Sequence, residues 1–307
     1  MKLKLTLASL AFAFAMGGPA LAADKIKIGY ITKFPAPYFQ TMEDAAKAWA
    51  KDHPNVEIVY GQGTSATDIE GQIALIEKMV AQGVQGIAIT PVDPSVSTTL
   101  DKVVAGGVKV VLMDNSIPDW KNQTALATTD NFAAGKLAGA FLKSKLKDGD
   151  KVGILEAVPG VPALDDRVNG MMEGLKGVSV DIVGKGATSC DQEKGLNLAQ
   201  DILTANPDVK AFYSACGAPA VGAAQAIKNA NLDHHIIVVG FDFCCGEDGP
   251  DGTIATGEED ATVAQFPAKM SELGVDALVK ALNGEQVESL IDSGAALVTK
   301  ENLKDFM

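Results

Sequence analysis

The residues able to do chemistry recur at intervals, each just beyond an apolar run. Lys33-Phe34 and Tyr38-Phe39 follow the first run, Thr90 the third and Asp114-Asn115 the fourth, and Thr129-Asp130-Asn131 stands at a crossing further on. The second half adds Arg167, Cys190-Asp191, Cys216, the stretch Phe241-Asp242-Phe243-Cys244-Cys245, and Gln265. Aromatic rings offer flat apolar faces to C–H groups. Carboxylates, amides and a guanidinium make charge-assisted or neutral hydrogen bonds to hydroxyls. Together they suit a small polyhydroxylated molecule. Any one Asp or Asn at a strand end is an ordinary turn or cap residue; the reading rests on their recurrence at the same end of strand after strand. The chain has 25 Lys but a single Arg, Arg167, which points to a use of the planar, bidentate guanidinium.

Motifs for turnover are missing. There is no Gly-x-Ser-x-Gly and no suggested Ser–His pairing, no Cys-x-x-Cys, and no His near the cysteines. Gly61-Gln62-Gly63-Thr64-Ser65-Ala66 has the spacing of a dinucleotide loop, but it follows the second strand and no acidic residue closes the next one. Glu258-Glu259-Asp260 reads as a solvated acidic turn without calcium-loop spacing. The expectation is a binding protein with no cofactor and no metal. A thiol or sugar-processing enzyme using Cys244-Cys245 is the remote alternative.

The elements that must position these residues alternate regularly. Strands are expected over 26–31, 56–60, 86–90 and 109–113, with helices over 41–52, 69–82 and 95–105 between them. A second series has helices over 131–146, 165–175, 193–205, 220–229 and 271–282, and strands over 151–156, 180–184, 209–214, 236–241 and 262–266. Strands alternating with helices of this length predict doubly wound parallel sheets, here two α/β units that meet near 128–131, with 265–267 as a return crossing. In such sheets ligands bind beyond the carboxyl ends of the strands. The run before Gly240 is apolar and β-branched, as in a strand covered on both faces. Gly240 itself marks a close approach to the backbone.

The chain has 307 residues, 47% of them apolar, and a net charge of -13. That length supports a substantial core, and the acidic balance repels nucleic acid and anionic lipid. Met1-Lys2-Leu3-Lys4, the apolar run to Met16 and Ala20-Leu21-Ala22 form a secretory signal pattern, with cleavage expected after Ala22. Export places the four cysteines in an oxidising compartment. Four cysteines allow three pairings, and spacing does not choose among them.

The chain resembles the periplasmic sugar-binding proteins of the ribose-binding type, which are type I solute-binding receptors of ABC importers sharing their fold with lac-repressor-like sugar domains. The matching residues are Pro37-Tyr38-Phe39, Asp114, Thr129-Asp130-Asn131, Arg167-Val168-Asn169-Gly170, Lys194-Gly195-Leu196-Asn197, Val239-Gly240-Phe241-Asp242 and Ala264-Gln265. The resemblance implies two lobes joined by a multi-strand hinge, with residues 24–129 plus 266–289 in the first and 130–265 plus 290–307 in the second. It implies that Tyr38, Phe39 and Phe241 sandwich a sugar ring, with Phe34 beside them. Asp114, Arg167, Asp242 and Gln265 would bond its hydroxyls, and Asn115, Thr90 and Thr129 would complete the set. The implied partner is an ABC permease in the membrane, served by a periplasmic monomer; a sensor feeding a chemoreceptor or kinase is the alternative.

Three positions depart from that pattern. Ala36 stands where the ribose type has Asn, Cys190 where it has an aromatic, and Cys216 where it has Asn. Those losses argue against ribose itself, and a tetrose, pentose, branched sugar or polyol is expected in preference to a hexose. Under the same resemblance all four cysteines face the cleft. The favoured pairing joins Cys190 to Cys216, taken to follow neighbouring strands, and leaves Cys244–Cys245 as a vicinal disulfide whose flat ring would contact the ligand. Cross-pairings and free thiols are the alternatives.

Overall fold

A computed structural model describes residues 25–243 and 252–306. The expected signal segment and the Cys244-Cys245 pair lie outside these described residues. The first unit runs β1 (Ile26–Thr32), α1 (Pro37–Asp52), β2 (Val56–Gln62), α2 (Ile69–Ala81), β3 (Gly86–Ile89), α3 (Ser97–Ala105), β4 (Lys109–Met113) and β5 (Ala125–Thr128). The second runs α4 (Asn131–Lys145), β6 (Lys151–Glu156), α5 (Pro162–Gly174), β7 (Asp181–Ala187), α6 (Gln192–Ala205), β8 (Ala211–Ser214), α7 (Gly217–Ala230), β9 (Ile237–Phe243), α8 (Thr253–Thr256) and β10 (Ala261–Gln265). The chain then returns through α9 (Pro267–Leu282) and β11 (Leu290–Asp292) and ends with β12 (Ala295–Thr299).

Two six-stranded sheets result, in the orders β11-β5-β4-β3-β1-β2 and β12-β10-β9-β8-β6-β7. The first is parallel throughout, and in the second only β12 runs antiparallel, against β10. The two lobes of the type I binding-protein fold are thus in place. Strand order reverses between β1 and β3 in one lobe and between β6 and β8 in the other. Those switch points open crevices at the strand ends, and the candidate residues gather there.

Three differences from the sequence expectation have simple causes. Pro37, Pro162 and Pro267 each sit in the first turn of a helix, where proline's missing N–H is harmless and its φ already helical. The helices α1, α5 and α9 therefore start about a turn earlier than their apolar periodicity indicates. The strands β5, β11 and β12 are too short for alternation to mark them. Because β11 pairs with β5 in the first sheet, the last crossing falls at Ser293-Gly294, and residues 290–292 belong with the first lobe rather than the second. There Ser293 N donates to Thr128 O (2.8 Å) and Asp130 N to Asp292 Oδ1 (3.0 Å), which ties two of the crossings together.

The β9 strand is buried on both faces, as its composition indicates. The close approach at Gly240 comes from Glu259, whose carboxylate occupies the space a Cβ would need. Glu259 is buried and accepts from Thr253 Oγ1 at 2.5 Å, so the acidic turn read as solvated contributes one carboxylate to the interior.

The second lobe's α4 and α5 cross at glycines. A Cβ on Gly139 would collide with Met171 O and lie 2.8 Å from Gly174 Cα. Close packing leaves such a methyl no room. Gly139→Ala is expected to lower stability by about 1–3 kcal/mol, read as a lower urea midpoint; an unchanged midpoint would show the crossing to be soft.

Candidate functional site

Between the lobes lies a cavity of about 360 Å³. The first lobe supplies Lys33 and Phe34 from the end of β1, Tyr38 and Phe39 from the first turn of α1, and Asp114 and Asn115 from the end of β4. Phe34 and Tyr38 both pack edge-on against Phe39, with ring centroids 5.1 Å and 5.4 Å away. Asp114 has φ 64°, in the left-handed region that Asp tolerates better than most residues. Its backbone is held there by Thr128 Oγ1, which donates to Asp114 O (2.7 Å), and by its own N–H, which donates to Ala127 O (2.9 Å).

A polar cluster forms around that carboxylate. Tyr38 Oη donates to Asp114 Oδ1 at 3.2 Å. With its amide nitrogen 3.1 Å from Asp114 Oδ2, Asn115 turns its oxygen to Lys33 Nζ. Burial pushes the Asp114 carboxyl up, opposed by Lys33 and Arg167. The same burial pushes the Lys33 ammonium down, opposed by Asp114. The Tyr38 hydroxyl is pushed well up, first by burial and then by Asp114, so it stays a neutral donor. Lys33 stands in the stretch after the first strand but is not among the expected ligand-binding residues; it lines the cavity all the same. Gly63 packs on Lys33 O, where a Cβ would collide.

Across the cavity the second lobe is organised by Arg167 on α5, which is 5% exposed. Its Nε donates to Asn131 Oδ1 (2.9 Å), and its Nη1 donates to Ala215 O (2.9 Å) and Asp242 Oδ1 (2.7 Å). The guanidinium lies 4.0 Å above the Phe241 ring, a cation–π contact. Gln265 Nε2 also donates to Asp242 Oδ1, at 2.6 Å. Asp242 has φ 74°, so both cleft carboxylates sit in left-handed backbone at strand ends, as strained residues at binding sites often do.

The expected residues Phe34, Tyr38, Phe39, Asp114, Asn115, Arg167, Cys190, Cys216, Asp242 and Gln265 all line this one cavity. Three others do not. Phe241 is fully buried beneath Arg167, so its ring supports the cation instead of facing a ligand. Thr90 is buried behind the site, where its carbonyl accepts from Gln72 Nε2 (3.0 Å). Thr129 faces the hinge, with its Oγ1 3.3 Å from Ser293 Oγ. Asn131, Val161, Ala163 and Leu164 line the cavity without having been expected there. The last three lie at the start of α5, which the late helix assignment had placed outside the site.

Cys190 and Cys216 are joined, with Cα atoms 5.4 Å apart. The pairing matches the expectation, but the strands do not neighbour one another: β6 lies between β7 and β8. The disulfide therefore bridges over the end of β6. Ser189 and Cys190 both have φ 55°, and two successive left-handed residues turn the loop toward Cys216. Among the described residues no group of three His, Cys, Asp or Glu is arranged to hold a metal.

Comparison with known proteins agrees with this arrangement. The model of the periplasmic binding protein domain family matches residues 28–286. The chain is similar to the ribose import binding protein RbsB of Bacillus subtilis, with 32% identity covering 86% of this chain and 84% of that one. It is similar to the D-ribose/D-allose-binding protein of Pseudomonas aeruginosa, with 30% identity and 85% of each chain covered. Among solved structures, an ABC transporter solute-binding protein of Agrobacterium vitis with bound D-fucose superimposes with a TM-score of 0.78 at 29% identity, covering 90% of this chain and 96% of that one.

Proposed function

The chain belongs to the periplasmic binding protein domain family, and from that premise we propose that it captures a small neutral sugar or sugar alcohol between its lobes and delivers it to the permease of an ABC importer. The observation that carries this reading is the charge balance of the cavity. Each lobe brings one cation and one carboxylate, Lys33 with Asp114 on the first and Arg167 with Asp242 on the second. A charged ligand would leave one charge in the cleft uncompensated, which is costly away from water. Hydroxyls satisfy both signs, because they donate to carboxylates and accept from cations. The sugars that name or occupy these relatives, ribose, allose and D-fucose, are neutral.

Ala36 and Cys216 offer no amide to a hydroxyl and Cys190 no ring to a sugar face, which favours a tetrose, pentose, branched sugar or polyol over a hexose. Hinge closure at the crossings would bring the Lys33 and Arg167 clusters onto opposite sides of the ligand. Residues 1–22 are read as a cleaved export signal, so the mature protein acts in the periplasm, as a monomer. The chain binds and releases its ligand without altering it.

A thermal-shift screen over neutral sugars, polyols, sugar acids and amino acids tests the reading. A neutral ligand at a hundred times its Kd should raise Tm by about 5–10 °C. Stabilisation by acids or amino acids alone would refute it.

A further inference from the structure

The bond between Asp242 and Gln265 is braced from behind by one ring. Gln265 Nε2 and Arg167 Nη1 both donate to Asp242 Oδ1, at 2.6 Å and 2.7 Å. The residues that directly follow Asp242 and Gln265 are Phe243 and Phe266, and both pack on Phe306. The Phe243 ring meets it edge-on and the Phe266 ring lies stacked at 18°, each with its centroid 6.5 Å away. Those separations fall within the range of aromatic attraction. Phe306 therefore holds the neighbours of both partners in a bond that faces the cleft.

The backbone needs such a hold at this point. Phe241 pairs with Val263 and Phe243 with Ala264, so Asp242 is an extra residue in β9 with no partner in β10. A bulge of this kind re-aims a side chain beside a site. Asp242 takes it at φ 74°, a left-handed conformation that persists where the surroundings enforce it. Before the bulge, Phe241 is buried under Arg167. After it, Phe243 is buried with Ile254, Ala264, Val298 and Leu303 in a small core on which Phe306 packs. Phe306 follows a 3₁₀ turn, Leu303–Asp305, whose start is fastened to β12. Thr299 N donates to Asn302 Oδ1 (2.7 Å), and Asn302 Nδ2 donates to Leu297 O (3.0 Å). A second cavity, of about 400 Å³, is lined by Phe243, Gln265, Phe266 and Phe306. Without the ring, the residues flanking Asp242 and Gln265 would have room to move.

We infer that Phe306 is a positioning residue of the cleft: by bracing Phe243 and Phe266 it holds the bulge that aims Asp242 at Arg167 and Gln265. Its effect on affinity rests on reading the cavity as a sugar receptor; its effect on the aim of Asp242 does not.

Arg167 is the chain's single arginine, so ¹⁵N-arginine labelling of the whole protein gives one Nε–H signal, which reports on its partners without any ligand. Asp242→Asn establishes how that signal moves when the carboxylate is lost. Phe306→Ala should move it the same way by more than its linewidth. Phe306→Tyr keeps the ring and should leave it in place. Phe306→Ala added to Asp242→Asn should move it no further. Phe306→Leu fills the small core without the flat ring, and carries the alanine expectation if that variant fails to fold. A wild-type signal in the folded ring-deleted variant, or an equal displacement with and without the Asp242 carboxylate, would overturn the brace. Titration calorimetry with D-ribose, D-arabinose and erythritol, well below Tm, reads the consequence: binding weakened by about tenfold in Phe306→Ala. Unchanged affinity would overturn the role in binding even with the signal displaced. Failure of the wild type to bind any neutral sugar would count against the sugar reading and leave the Arg167 signal to decide the brace.

Discussion

Arg167→Lys will lower ligand affinity by about a hundredfold or more, even though it conserves the charge. A lysine delivers one ammonium at the end of a flexible stem. Arg167 instead uses Nε and Nη1 in fixed directions, to Asn131 Oδ1 on one side and to Ala215 O and Asp242 Oδ1 on the other. Its planar face also rests on Phe241. No lysine rotamer serves all four partners. Asp242 would keep Gln265 as a donor but lose the guanidinium that orients it. The Asp242 side chain is 32% exposed, so water offsets part of the folding penalty, which should be about 1–3 kcal/mol. Titration calorimetry with the ligand found by thermal shift reads the first effect and urea unfolding the second. Affinity within threefold of wild type would mean that charge alone suffices at this position.

Removing the disulfide is expected to have the largest effect on stability. Cys190 and Cys216 are 26 residues apart, and opening a loop of that length frees unfolded-chain entropy equivalent to about 3–4 kcal/mol. Alanine at both positions avoids the new cap that serine would give α7. The loss falls on the second lobe. Both tryptophans, Trp49 and Trp120, belong to the first lobe, on α1 and between β4 and β5. In Cys190→Ala/Cys216→Ala the urea transition followed by far-UV circular dichroism should therefore move further than the one followed by tryptophan fluorescence. Coincident transitions at the wild-type midpoint would show that the bridge adds nothing to the fold.

The contact between α4 and α5 connects stability to the site. A Cβ on Gly135 would collide with Arg167 O, and Tyr213 Oη donates to that same carbonyl at 3.1 Å. The backbone of the one arginine is thus clamped between a helix crossing and a strand. Asn131, the first residue of α4, meets its side chain. Packing in the lobe interior sets the direction of the group that faces the cleft.

Local sequence by itself determined the alternation of strands and helices, the two α/β units and the strand ends where Asp114, Arg167, Asp242 and Gln265 collect. Those features are short-range: a buried parallel strand needs a continuous apolar run, and a polar group placed just beyond it emerges at the crevice. Only the tertiary structure decided the rest. Lys33 became a cleft cation because Asp114 and Asn115, at the end of β4, face it there. Phe241 became a support because Arg167 covers its face. Pro162 became a helix start that carries Ala163 and Leu164 into the site. Leu290–Asp292 became a strand because a partner 164 residues earlier in the chain, Leu126–Thr128, offered it hydrogen bonds. Each of these depends on which distant segment lies alongside, and neither periodicity nor composition encodes that; the final arrangement follows from the folded chain's need to bury apolar faces and pair its backbone at once.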